Sequence, residues 1–212
     1  GNTSSNSEAH KAGGIGLASG IVTKSEAKIG SGEGEKNSQT VKASINGGSV
    51  AALEDIILRA YNAGEAVSKI MKGLEVSAVG INSTTLPTKS WYTTAANVTG
   101  GAKLNAEGDV LITSEEATNA KSDAQGTSIG FAVSADITKG ENHIHTNNNI
   151  TINAAIHAEG ALTITTASNA SMLARTIADG GGFFASGTLK AINELVRSSI
   201  ITIEEETELS AN

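Results

Sequence analysis

A degenerate internal repeat constrains this chain more than any other feature. Residues 158–165 (AEGALTIT) match residues 106–113 (AEGDVLIT) 52 positions earlier, and residues 54–59 are a weaker copy another 54 positions back. Near the other end, residues 201–203 (ITI) lie 51 positions after residues 150–152. Self-similarity at a fixed spacing is typical of an array in which each unit buries its apolar face against its neighbours. The sequence therefore predicts one continuous array over 1–212, with a flexible segment at 1–10.

The residue types available to fill a core support the same architecture. The chain has 24 Gly, 1 Pro and only six aromatic residues, namely 3 Phe, 2 Tyr and 1 Trp. A core of large interlocking rings cannot be built from them, so small and β-branched side chains must be buried instead. We expect a thin core made of layers.

Short alternating segments indicate that the layers consist of strands. Residues 110–113, 150–153, 162–165 and 201–203 alternate apolar and polar side chains, or nearly so, between Gly and Asn turn formers. We expect an all-β fold, a parallel β-helix. If each repeat forms two coils of about 26 residues, about eight coils stack into a rod roughly 40 Å long.

Two stretches have a spacing that also suits helices. Residues 49–71 carry apolar side chains at helix-like intervals and are rich in helix formers, and residues 189–199 do the same. Short helical insertions are therefore an alternative near 49–71 and 189–199. The repeat alignment favours a strand for 55–61, whereas 189–199 stays open between the two.

Four segments resemble a known family. Residues 14–20 (GIGLASG), 26–30 (EAKIG), 106–113 and 129–134 (IGFAVS) are similar to repeats of secreted filamentous adhesins and haemagglutinins exported by two-partner secretion, above all the leukotoxin-type repeats of fusobacteria. The resemblance implies a right-handed parallel β-helix, an outer-membrane secretion partner, a secreted or cell-surface location and a role in virulence. The pair Trp91-Tyr92 stands where the repeat would have smaller residues.

Charge and cysteine content exclude several classes of partner. The net charge is −7 and the lysines are scattered singly, so no basic stripe is available for nucleic acid. The chain also lacks a cationic amphipathic helix, and we expect no direct insertion into a membrane. Cysteine is absent, as is common in long exported bacterial chains. The sequence shows neither a signal peptide nor an initiator Met, and we expect a fragment of a much longer secreted protein.

The most specific hint of metal chemistry is His143-x-His145. Both imidazoles would project from the same face of a strand, and Glu141 or His157 would have to supply a third ligand. The sequence contains no spacing that brings such a ligand close. We therefore expect a solvated strand face, with no metal site and no cofactor.

Other motifs are weaker still. Residues 179–182 (DGGG) lack the iteration of a glycine-rich calcium repeat, and residues 13–16 (GGIG) are not followed by the Lys-Ser/Thr of a phosphate loop. Polysaccharide lyases and hydrolases on β-helices use clustered acids, whereas the five aspartates are mostly far apart. We expect no catalytic residue and no enzyme.

The leading functional hypothesis is a repeat segment of a leukotoxin-like adhesin that binds a host-cell surface receptor or glycan. We expect binding to be spread over faces and loops. The loops expected to differ most between coils are 31–40, 82–90 and 139–149, because polar or Pro-containing sequence interrupts the repeat there. A purely structural stalk is the second hypothesis, and a β-helical carbohydrate-active enzyme is the third.

Overall fold

The fold is all-β and consists of one 11-stranded sheet. The computed structural model describes residues 2–10, 14–30, 38–71 and 75–212. The strands are β1 (Asn2–His10), β2 (Gly14–Lys24), β3 (Ala27–Ile29), β4 (Gln39–Asn46), β5 (Ser49–Ala52), β6 (Ile56–Met71), β7 (Glu75–Ala106), β8 (Val110–Ala158), β9 (Leu162–Gly181), β10 (Phe184–Ile203) and β11 (Glu208–Ala211).

All of the strand pairings are parallel, and they follow the sequence repeat. Val110 pairs with Ile56, 54 positions earlier, and with Leu162, 52 positions later. The predicted repeat is thus confirmed as the spacing between hydrogen-bonded neighbours. Strands β1 to β5 form one layer, β6 and β7 the second, β8 the third, and β9 to β11 the fourth.

The prediction of eight coils of about 26 residues is wrong for the described residues. Partners in neighbouring layers lie between 51 positions apart, as for Val133 and Phe184, and 61 apart, as for Gly14 and Glu75. One layer therefore uses a whole repeat, which gives half as many layers as the sequence suggested. The first segment, for which we expected flexibility, is strand β1 and pairs with residues 63–71 of β6.

The helical alternative is also wrong, because both stretches are strands and the described residues contain no helix. Residues 56–69 pair one by one with residues 110–123, and residues 184–203 pair with residues 133–152. This register satisfies the backbone of both stretches across layers and overrides their helix propensity.

The sheet curls so that two walls face each other. In β8, residues 110–129 form part of the first wall and residues 133–158 part of the second, and the chain turns between them at Gly130, where a Cβ would overlap the Val133 carbonyl oxygen. Hydrogen bonds cross the interior between the walls. Ser114 Oγ donates to the Thr94 carbonyl oxygen (3.0 Å), and Asn148 Nδ2 donates to the Ala167 carbonyl oxygen (2.9 Å).

The interior has its largest apolar cluster at one end, whereas elsewhere buried polar side chains surround two smaller apolar clusters. The apolar end is a cluster of Ala, Val, Leu and Ile side chains that includes Val110, Ile112, Ile150, Ile152 and Ile156. Farther from it, the inward positions carry Ser, Thr and Asn together with the largest fully buried side chain, Tyr92. Residues along a strand therefore alternate between buried and less buried, although many of the buried ones are polar.

One corner of the sheet is fixed by stacked aspartates. Asp55 Oδ1 accepts a hydrogen bond from the Asp109 backbone N–H, and Asp109 Oδ1 accepts one from the Ala161 N–H, each 2.8 Å long. Gly108 and Gly160 let the backbone pass close to these carboxylates, because a Cβ at either position would overlap the aspartate Oδ1. The repeated Ala-Glu-Gly in the sequence marks this corner.

We predict that Gly160→Ala lowers the free energy of unfolding by about 1–3 kcal/mol, since the new methyl group displaces the Asp109 carboxylate and crowds the Gly108 backbone. Chemical denaturation measures the loss. Gly187→Ala is the matched control, because its nearest neighbour would lie 3.9 Å away. Equal stability of the two variants would contradict this role of the glycine.

Glu116 is a buried acid of the interior whose pKa is strongly raised. It is 3 % exposed, and neither carboxylate oxygen has a hydrogen-bond partner among the described residues. Burial raises the pKa of Glu116 from 4.5 to about 8, against the opposing effect of Arg197. On the facing wall, burial likewise raises the pKa of Tyr92, to about 12. Both groups are therefore neutral inside the folded chain near neutral pH.

We predict that stability falls as pH rises from about 4.5 to about 8. The folded state keeps the Glu116 proton across this window whereas the unfolded state loses it, so the free energy of unfolding decreases by up to about 5 kcal/mol and then levels off. Denaturation at several pH values measures the slope. Glu116→Gln should remove it, and the exposed Glu107→Gln should not. An unchanged slope in Glu116→Gln would refute the assignment.

Candidate functional site

A groove of about 750 Å³ runs across the outer face of the second wall. Because side chains alternate along a strand, the odd-numbered residues of β7 and β8 point into it, and parallel pairing places them in adjacent rows. From β7 these are Thr85, Pro87, Lys89, Trp91 and Thr93, and from β8 Glu141, His143, His145 and Asn147.

An aromatic stack forms the apolar part of the groove. Trp91 pairs in register with His145, and their rings lie parallel within 13° at a centroid distance of 5.8 Å. Lys28 Nζ lies 5.4 Å from the centroid of the indole ring. The Trp91 side chain is partly exposed, so it offers an aromatic surface to a ligand while its own position is fixed by these two neighbours.

Ion pairs surround this stack. His143 Nδ1 lies 2.7 Å from Glu194 Oε2, its register partner on β10. Lys139 Nζ lies 2.5 Å from Glu141 Oε1 on the same strand. These pairs hold the charged side chains in place at the groove.

The two histidines project from the same face of β8, as the sequence predicted. Both line the groove, as does Glu141, whereas His157 lies elsewhere on β8 and shares a 2.8 Å hydrogen bond with Ser210 Oγ. No group of three potential metal ligands occurs among the described residues. His143 bonds Glu194 and His145 stacks on Trp91, so each imidazole has a structural contact already.

The segments predicted as loops are almost entirely strands where the structure describes them. Residues 82–90 lie within β7 and residues 139–149 within β8, because both stretches pair in register across layers despite their polar sequence. Of 31–40, residues 31–37 lie outside the described residues. The two strand segments nevertheless line the groove. The predicted loop conformation is therefore wrong, and a role of this surface in binding stays a prediction.

The other weak motifs have structural positions. Asp55 and Asp109 bond backbone amides at the corner, while Asp123 and Asp136 are buried. The run 179–182 covers the end of β9 and the bend after it, and residues 14–16 belong to β2, with Gly13 outside the described residues. The five aspartates are thus dispersed between the corner, the interior and, for Asp179, the exposed end of β9.

A second exposed surface lies at the turn between the walls. Phe131, Phe183 and Phe184, the three phenylalanines of the chain, are 67 %, 91 % and 74 % exposed there, and Leu17 is 88 % exposed. Contiguous exposed apolar side chains mark interaction surfaces on proteins. The repeat aligns residues 131–134 with residues 183–186, 52 positions later, so the sequence relates the rings of this ridge, but it does not predict that they are exposed.

Comparison with known proteins found no similar protein. No family model, no curated protein and no solved structure matches the chain. Within the described residues, no helix has the length and apolar character that crossing a membrane requires.

We predict that His145→Ala exposes one face of the Trp91 ring. Since Trp91 is the only tryptophan of the chain, its emission should shift to longer wavelength and become more sensitive to acrylamide quenching. Steady-state fluorescence measures both effects. His157→Ala, on the same strand but in another pocket, is the control. Identical spectra for the two variants would show that the stack does not shield the indole.

Proposed function

We propose that this chain is an adhesive repeat segment of a secreted bacterial filamentous adhesin of the leukotoxin type, a virulence factor that contacts host cells. In this proposal the parallel layers form a right-handed β-helix, the parent protein leaves the cell through an outer-membrane secretion partner, and the groove around Trp91 binds a glycan on the host surface. The segment has no catalytic role and does not insert into membranes.

The groove is the observation that supports adhesion. It combines a partly exposed indole ring with charged and amide side chains, and both kinds of group sit on paired strands. Aromatic surface beside a few fixed polar groups is what small polar ligands with one apolar face require. Because strands position side chains more rigidly than loops do, binding here needs little ordering of the site.

A structural stalk is the second candidate, and the phenylalanine ridge favours it. In that role the stacked layers hold a distant domain, and the exposed rings of Phe131, Phe183 and Phe184 pack against a neighbouring copy in a bundle. An enzyme is the third candidate. The groove acids favour it less, since Glu141 and Glu194 are each engaged by a base.

We expect the labelled chain to bind leukocytes or epithelial cells saturably in flow cytometry, and Trp91→Ala to weaken that binding at least tenfold through loss of the stacking surface. The matched control is Tyr61→Ala, which removes another exposed ring that lies beneath a cation, Arg59, at 5.2 Å. Tyr61 belongs to β6 and is distant in register from the groove.

Three other results would each point elsewhere. Absence of saturable binding to either cell type would favour the stalk. Entry of a membrane-impermeant dye would contradict the expectation of no membrane insertion. Release of reducing or unsaturated sugar ends from acidic polysaccharides would indicate the enzyme.

A further inference from the structure

Three basic side chains occupy one column on the outer face of the second wall. Lys28 pairs in register with Lys89, and Lys89 pairs with His143. Partners in neighbouring strands lie about 4.8 Å apart, so the two ammonium groups are held on adjacent strands of one column. Like charges placed directly opposite each other across strands repel and destabilise the pair.

Each acid around this column is already paired, two with lysines outside the column and Glu194 with His143, the third member of the column. Glu26 pairs with Lys24 at 3.3 Å, Glu141 with Lys139 at 2.5 Å, and Glu194 with His143 at 2.7 Å. Neither Lys28 nor Lys89 forms an ion pair within the part of the chain that the structure describes. The chain has a net charge of −7, so two neighbouring lysines without a paired acid form a local positive patch on an acidic protein. An anion bound between them would relieve their repulsion.

The apolar surface next to these lysines narrows the class of anion. Lys28 Nζ lies 5.4 Å from the Trp91 ring centroid, and Lys89 and Trp91 line the same groove. An aromatic face takes the C–H face of a sugar ring, and an ammonium group takes a carboxylate. A free inorganic anion would use the lysines and leave the indole without a role.

Resting on the proposed function, we propose that the groove binds a saccharide that carries a carboxylate. The sugar ring stacks on the Trp91 face over which Lys28 Nζ lies in the free chain, since His145 covers the ring from the next layer. The displaced Lys28 ammonium group then binds the carboxylate together with that of Lys89. A terminal sialic acid and a chain of uronic acids share this chemistry. Nucleic acid is disfavoured, because two lysines neutralise too few phosphates to hold a polyanion on an acidic chain.

The experiment is a titration of Trp91 fluorescence with 3′-sialyllactose, an oligoglucuronate and lactose, the last being the same sugar as the first without its acid. We expect a saturable change with at least one acidic saccharide, at least tenfold weaker binding of lactose, and loss of affinity as salt rises from about 50 to about 300 mM. Which acidic saccharide responds distinguishes the two sources of carboxylate.

Lys28→Gln and Lys89→Gln should each weaken the acidic saccharide at least fivefold and leave lactose unchanged. Lys103→Gln is the matched control, since Lys103 is an exposed lysine on the same strand as Lys89, outside the groove, and changes the net charge equally. Equal binding of lactose and the acidic saccharides, or indifference to both lysine variants, would overturn the inference and leave the proposed function standing.

Two results separate this inference from the function on which it rests. A chain that binds cells through Trp91 but no acidic saccharide overturns the carboxylate assignment alone. A chain that binds no cells, or binds them equally after Trp91→Ala, overturns the proposed function of the groove.

Discussion

The structure depends on a backbone hydrogen-bond ladder between segments that lie one sequence repeat apart. Because the ladder is parallel and in register, a paired side chain of an inner layer lies between its counterparts in the previous and next layers. A residue that differs between two copies of the repeat therefore contacts its different counterpart in the neighbouring layer. The stacked aspartates, the Trp91–His145 stack and the lysine column all arise in this way.

The same ladder explains how the chain tolerates a polar interior. Buried hydroxyl and amide groups contribute little hydrophobic stabilisation and are costly when unpaired. Here they occupy a space whose walls already satisfy their own backbone groups, and several of them bond carbonyls of the opposite wall, as Ser114 and Asn148 do. Apolar burial is concentrated at one end, around Ile112, Ile150 and Ile152.

The sequence was sufficient for the all-β class and for the repeat, because the Ala-Glu-Gly segments at 106–108 and 158–160 are nearly identical copies. It was insufficient for the layer size, since inward Ser, Thr and Asn hide the alternation of the long strands. The polar segments 82–90 and 139–149 line the groove, but the sequence did not indicate that Trp91 belongs to it. An aromatic residue shows no partner in a sequence when that partner, His145, lies 54 positions away.

The separation of 51–61 residues between paired strand positions also limits how the chain can fold. A contact across about a quarter of the chain must close a long loop before it gains any stabilisation, which makes the first pairing of two layers slow. Once two layers exist, their edge offers a ready row of donors and acceptors, and each further layer adds to a template. Folding is then limited by nucleation and proceeds by growth from an end, so an early layer controls the rate for all later ones.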